Sequence, residues 1–267
     1  MLPSPKIIKY TARAQLKNKW VSAVCVSLIF LATVIFNGIL AGIISSVLIS
    51  ASSLVFAVVL AFFVIFMLFL TIPLFQGVIR WFWFFSIEKE LDISSVFYYY
   101  SDAKLLGKTI VFYSQLIFAL IIRGILVFIP AILYLVLSSQ QFYEMFGIVA
   151  PTILPVLWPL GYLLYFVCGI LFLILAQKFA LAPGILATND DITVDDAIVL
   201  SKYLSAINRN AFISFALSFI GWGILCLLGV TMIFILPYMF MAYAVFTKFT
   251  ISNHRYEQGK MGEKAYI

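Results

Sequence analysis

Charge is what this chain has least of. Only 10% of its 267 residues are Asp, Glu, Lys or Arg and 64% are hydrophobic, whereas a soluble domain carries about 25% charged residues. Residues 20–79 hold no charge at all, and neither do 210–247. Each stretch exceeds the roughly 20 apolar residues that cross a bilayer. A chain of this size has too little interior to hide them, so a soluble globule is excluded.

Cysteine and histidine are almost as scarce. Cys25, Cys168 and Cys226 lie in apolar runs with no CxxC, and the one histidine, His254, lies in the polar tail. That excludes a disulfide framework and a zinc site and leaves three buried thiols and a solvated imidazole. HExxH, GxSxG and P-loop patterns are missing too, so nothing points to an enzyme, a metal or a cofactor. The spans contain no carboxylate of the kind proton-coupled transport needs. Asp190, Asp191, Asp195 and Asp196 cluster, but without EF-hand spacing. They read as acids suited to a helix start.

What is abundant is apolar length, and it divides into six spans. Trp20–Ile79 holds two, near 21–44 and 54–79, separated by Ser45, Ser46, Ser50, Ser52 and Ser53. The run after Trp20 is too long for a signal-peptide core, so it reads as an uncleaved first span. Two more fall near 110–137 and 156–177, and the last apolar stretch folds back near Leu227–Gly229 into 211–228 and 230–250, followed by a tail, 251–267. Pro73, Pro183 and Pro237 fall near the inner ends of even-numbered spans, where neighbours can satisfy the freed backbone.

The cations orient these spans. Sixteen of the seventeen Lys and Arg residues fall before the first span, between the second and third, between the fourth and fifth, or after the sixth. The positive-inside rule makes that side cytoplasmic, with both termini there. Six spans then form three hairpins. A short amphipathic helix is expected before each, at 6–19, 92–104 and 193–207. In the first, Ile8, Ala12, Leu16 and Trp20 form the apolar stripe, and Lys6, Lys9, Arg13 and Lys17 are placed to meet anionic lipid headgroups. In the second the stripe is Ile93, Val96, Phe97 and Tyr100. In the third, Thr193 and Asp196 have capping-box spacing, with Val194, Ala197, Ile198, Ser201 and Leu204 following at helical spacing.

Arg123 is the exception among the cations, midway through the third span. An arginine at a helix centre costs about 2.5–3.5 kcal/mol on insertion scales. Asn37, Gln76, Gln115, Gln177, a carbonyl near a proline or an acidic ligand can offset it, making it a ligand or partner anchor; snorkelling to the span's end is the other reading. Gly38 and Gly42 form a GxxxG in the first span, read as close packing within the chain, with a homodimer face as the alternative.

Ser218-Phe219-Ile220-Gly221-Trp222, with Pro237-Tyr238 some fifteen residues on, resembles the hallmark of a bacterial integral membrane family of unknown function, domain-of-unknown-function family 975. Ala12-Arg13 with Leu16-Lys17-Asn18-Lys19-Trp20 looks like its basic N-terminal motif. Leu186-Ala187-Thr188-Asn189-Asp190, Asp196-Ala197-Ile198 and Ser201-Lys202 look like its third inner helix. The chain departs at Leu227-Leu228-Gly229-Val230, where a more glycine-rich turn is expected. The resemblance implies six spans and a bacterial cell membrane, and brings no reaction, cofactor or catalytic residue. Physically, Gly221 lets a neighbouring helix approach Trp222, and Pro237 frees a carbonyl that Tyr238 can meet.

The reading is therefore a single all-α membrane domain over 1–267. Its expected role is non-enzymatic: a scaffold, accessory or protective subunit that binds lipid or a membrane protein partner, or a second copy of itself, and no nucleic acid. A carrier or export component for an amphipathic substrate is the alternative.

Overall fold

A computed structural model describes residues 2–17, 19–48, 53–89, 91–147, 154–226 and 229–264. Among them the chain is helical throughout, with no strand. Helices α1 (Pro5–Leu16), α2 (Trp20–Leu48) and α3 (Ser53–Ser86) precede a 3-10 helix, Ile93–Tyr100. Then come α4 (Ala103–Leu137), α5 (Gln140–Met145), α6 (Leu154–Ala176), a second 3-10 turn (Gln177–Phe179), α7 (Ala182–Leu186) and α8 (Val194–Ile207). The chain ends with α9 (Arg209–Leu217), α10 (Ile220–Cys226) and α11 (Met232–Lys264). Six stretches are long and apolar enough to cross a membrane: Trp20–Ser46, Leu54–Ser86, Ala103–Leu137, Pro159–Leu186, Arg209–Cys226 and Met232–His254. The protein is a polytopic integral membrane protein. Ser50, Ser52, Leu227 and Leu228 lie outside the described residues.

The chain forms two compact units, 1–113 with 181–267, and 114–180. In the first, α1 packs on α11, α2 and α11 pack on α3, and the first 3-10 helix lies along α3. Aromatic side chains fill the centre. Phe82 stacks on Phe240 at 5.5 Å, Trp81 on Phe85 at 5.0 Å and Phe215 on Phe246 at 4.5 Å. Between helices already in lipid such rings gain by packing rather than by leaving water. Gly77 sets how close the 3-10 helix lies. A Cβ there would sit 1.8 Å from the Val96 carbonyl oxygen, so only glycine fits. Pro73 interrupts the ladder of α3, and the Tyr100 hydroxyl donates to the Leu70 carbonyl in that turn.

Polar ties hold the ends of these helices. Arg80 Nη2 meets Asp190 Oδ2 at 3.3 Å, Tyr98 donates to the same oxygen at 2.9 Å, and Lys108 Nζ donates to the Asp190 carbonyl at 2.5 Å. Asp190 is thus a cross-link from the α7–α8 loop to three other segments rather than a helix-start acid. Thr193 caps α8, accepting from Asp196 N at 3.1 Å.

Two local expectations change. Residues 93–100 form a 3-10 helix, in which positions three apart eclipse. Val96 and Tyr99 are therefore the buried pair, while Phe97 and Tyr100, expected in the stripe, are exposed. The second is at the C-terminus, where α11 runs on through 251–264, and His254 packs edge-on against Tyr203 at 5.4 Å instead of standing in water.

In the second unit Phe128 meets Tyr165 at 5.2 Å and Phe172 at 6.1 Å. Gly161 makes room for the Tyr134 ring, which a Cβ would approach to 2.9 Å.

Candidate functional site

The period of α1 creates the site. Pro5 stands in the first turn with its fixed φ, and Ile8, Ala12 and Leu16 face inward at four-residue spacing. Lys9 and Arg13, one step further round, run along one flank.

Lys9 reaches a break in the fifth span. There α9 ends at Leu217 and α10 begins at Ile220; the Ser218 hydroxyl turns back to the Phe215 carbonyl at 2.6 Å. The Lys9 ammonium donates to the Ser218 carbonyl and lies 4.3 Å from the centre of the Phe219 ring. A cation at a helix C-terminus complements the helix dipole. Burial lowers the Lys9 pKa from its ordinary value.

One turn on, Arg13 borders a cleft of 450 Å³ lined also by Trp20, Trp222, Phe234, Ile235 and Tyr238. The Trp222 and Tyr238 rings are 5.4 Å apart, and Tyr238 also packs on Phe219 at 5.8 Å. Arg13 makes no ion pair among the described residues. Among the described residues the lining offers a guanidinium, two indoles, a phenol and apolar walls, with no carboxylate, thiol or imidazole. Such a set suits an anionic group attached to an apolar body: the guanidinium grips a phosphate or carboxylate with paired donors, and the ring faces hold hydrocarbon.

The structure thus joins Trp222 and Tyr238 to Arg13 and Trp20 from the other end of the chain. This convergence was missed in sequence. Its signal was there, since both segments carry the family resemblance. A Cβ at Gly221 would meet nothing within 4 Å among the described residues. Pro237 lies inside α11, and the Tyr238 ring packs on those of Phe219 and Trp222. Gly38 and Gly42 are exposed, and a Cβ at either would meet nothing within 4 Å among the described residues.

The other candidates are dispersed. Asn37 Nδ2 donates to Thr71 Oγ1 at 2.6 Å. Gln76, fully buried, donates to the Pro183 carbonyl and accepts from the Tyr113 hydroxyl, both at 2.9 Å. Gln115 is exposed on α4. Arg123 Nη1 donates to the Ala119 carbonyl at 2.8 Å, and the guanidinium lies 4.6 Å from the centre of the Phe179 ring. Lys6 and Lys17 are exposed, so of the four expected headgroup anchors only Lys9 is committed to the protein itself.

No curated protein and no solved structure matches the chain. The family that does match, over residues 1–253, is described as "Protein of unknown function (DUF975)", and the chain belongs to it.

Proposed function

We propose that the protein is a non-enzymatic membrane scaffold or accessory subunit that holds an anionic phospholipid in the Arg13 cleft. The observation that carries this is the meeting of Arg13, Trp20, Trp222 and Tyr238 around one opening. A guanidinium with no carboxylate partner among the described residues invites an anion, and Phe234, 62% exposed, gives an acyl chain a wall on the lipid side. The lining supplies donors and ring faces but no nucleophile or general base, which supports binding rather than catalysis. Arg123 is not among the residues lining this cleft. Its carbonyl and ring contacts favour an offset charge over a substrate path, so the scaffold reading stands ahead of the carrier.

The setting we propose is the bacterial cytoplasmic membrane, with both termini in the cytosol. The spans pair as three hairpins, each following an interfacial helix. The asymmetry of the Lys and Arg residues supports it. An impermeant thiol reagent applied to intact cells should not label Val199→Cys on exposed α8; labelling would overturn the orientation.

The binding test is native mass spectrometry of the full chain purified gently in detergent. Phosphatidylglycerol-type lipid should stay bound to the wild type and be lost from Arg13→Gln. A bare wild type, or a variant with the same lipid complement, would end this reading.

A further inference from the structure

The hairpin of α10 and α11 is much shorter than that of α2 and α3 in the same unit. Phe240 meets Phe75 and Phe82, and Lys248 Nζ donates to the Ser86 carbonyl at 2.9 Å, so α11 runs the same way as α3. From Phe240 back to the start of α11 at Met232 is about 12 Å, and from Phe75 back to the start of α3 at Ser53 is about 33 Å. The tip of α10–α11 therefore stops roughly 20 Å short of the tip of α2–α3. We infer that α10–α11 is a re-entrant hairpin. It enters the hydrocarbon from the face that carries α1 and turns back inside it, holding its tip among the acyl chains of one leaflet. This rests on the membrane reading above, but neither on the Arg13 cleft nor on which face is cytosolic.

Three further features carry this. The first is the level at which α1 lies. Lys9 meets the Ser218 carbonyl and the Phe219 ring on one arm of the hairpin, and Arg13 borders Phe234, Ile235 and Tyr238 on the other. Both places are within about 12 Å of the helix ends at the tip, Cys226 and Met232. Were that tip at the far surface of a hydrocarbon layer about 30 Å thick, Lys9 and Arg13 would lie deep inside it. Lys6 and Lys17, on the same segment, are exposed, and none of the four cations pairs with a carboxylate among the described residues. Such a segment belongs at a membrane surface, which puts the tip less than halfway across.

The second is the chemistry of the two tips. The turn of α2–α3 falls among Ser45, Ser46, Ser50, Ser52 and Ser53, which suits water. The turn of α10–α11 reads Cys226-Leu227-Leu228-Gly229-Val230, without a charge, an amide or a hydroxyl. Its backbone closes on itself instead. Gly229 N donates to the Cys226 carbonyl and Met232 N to the Gly229 carbonyl, both at 3.0 Å, and the Thr231 hydroxyl donates to the Leu225 carbonyl. Water would satisfy such groups unaided, and hydrocarbon cannot. Val230, 74% exposed, stands at the tip with Ile224 and Phe234 exposed beside it, an aliphatic and aromatic surface that fits acyl chains.

The third is length. Arg209–Cys226 and Met232–His254, with 18 and 23 residues, are the shortest of the six apolar stretches, and the first is broken at Ser218 between α9 and α10. Beyond the level of α1 the hairpin keeps only Ile220–Cys226 on one arm and Met232–Tyr238 on the other. Each is about 11 Å of helix, where a crossing takes about 30 Å. The C-terminal part of α11 cannot make up the difference, because it is fixed against the end of α3 through Lys248.

The test is electron paramagnetic resonance of the full-length protein in lipid bilayers, in a Cys25→Ala, Cys168→Ala, Cys226→Ala background. A nitroxide is attached in turn to Ile220→Cys, Ile224→Cys and Val230→Cys along the hairpin, and to Leu54→Cys at the tip of α2–α3, all exposed positions. Collisions with dissolved oxygen report hydrocarbon, and collisions with a water-soluble nickel chelate report water. The ratio of oxygen to nickel collisions should rise from Ile220 through Ile224 to Val230, and at Val230 it should exceed the Leu54 value several-fold. A hairpin that crossed would give the reverse order, with Ile220 highest and Val230 matching Leu54. That order, or an equal ratio at the two tips, overturns the proposal. The comparison runs over three sites of one hairpin, so a single variant that fails to fold does not decide it. Reversed orientation would leave all four ratios unchanged and show only in the labelling of Val199→Cys. Failure of the Arg13 cleft would show separately, as a lipid complement indifferent to Arg13→Gln.

Discussion

The two flanks of α1 make opposite chemical offers from one helix. Along Lys9 and Arg13 there are cations, indoles and a phenol, with no carboxylate among the described residues; Thr11, Gln15 and Lys19 border a second cleft with Phe85, Glu88 and Lys89, where charges of both signs stand beside an amide. The line between them, Ile8, Ala12 and Leu16, is buried. Helical geometry accounts for the division. A step of one residue turns about 100°, so the neighbours of Ala12 on either side emerge on opposite flanks. A short interfacial helix can thus serve two clefts while its third face fastens it to the bundle. The charge inventory of each flank, more than its apolar area, then sets the two apart.

The variant with the largest expected effect removes the comparison altogether. Gly77→Ala places a Cβ against the Val96 backbone and must push the 3-10 helix off α3, at a cost of roughly 3 kcal/mol or more. Because α3 carries Phe85, leads directly into Glu88 and also packs on α11, which bears Tyr238, both clefts should fail together. Size-exclusion profiles and thermal unfolding in detergent check this; a well-behaved variant with wild-type Tm would show that the contact yields.

The next two variants separate the flanks. Arg13→Gln should weaken anionic lipid binding about tenfold, near 1.4 kcal/mol, and leave Tm unchanged. Arg13→Lys should fall between, since an ammonium lacks the paired donors of a guanidinium. Glu88 has φ 62°, and Glu88→Gly should do the converse, leaving that binding intact and stabilising the protein by about 1 kcal/mol, the usual penalty of a left-handed residue with a side chain. Native mass spectrometry and Tm measured on the same preparations distinguish the two. A Glu88→Gly protein with weakened lipid binding would mean the flanks are not independent.

Much of this frame can be read from the chain before folding. Uncharged runs such as 20–79 locate spans because no soluble packing can absorb them. The inward line of α1 follows from its four-residue spacing. The capping of α8 is visible in Thr193 and Asp196 because it is local. What escapes is whatever depends on partners distant in sequence. Arg13 and Trp222 are 209 positions apart, and no periodicity links them. The break at Ser218–Phe219 has no proline to announce it; its carbonyl is held by Lys9, another remote residue. Glu88 reads as one more surface acid until its φ is known. In the 3-10 helix the apolar spacing fits periods of 3.0 and 3.6 alike, and the close approach of Val96 to Gly77 has no local sequence signal.

The smallest effect sharpens the comparison through pH. Lys9 joins α1 to the broken span, and two terms oppose each other there. A cation at a helix C-terminus contributes about 0.3–1 kcal/mol and its seat over a ring a similar amount, while desolvation disfavours the charge and lowers its pKa. At neutral pH the lysine is protonated in both folded and unfolded chains, so the desolvation cost is present in full. As pH rises through the lowered folded value toward the ordinary 10.5, the folded chain loses its proton first. Stability then depends on pH with the unfolded chain binding more protons, so this contribution increases with pH and is lost again as pH falls. Lys9→Met should change stability at pH 7 by no more than about 1 kcal/mol, since the two terms nearly offset, and abolish the upward component between the lowered value and pH 10.5. Unfolding followed from pH 7 to 10.5 for wild type and variant gives the difference. If the two profiles run parallel across that range, the Lys9 contact with the Ser218 carbonyl is a surface contact, and the Arg13 flank is held to the fifth span by its rings alone.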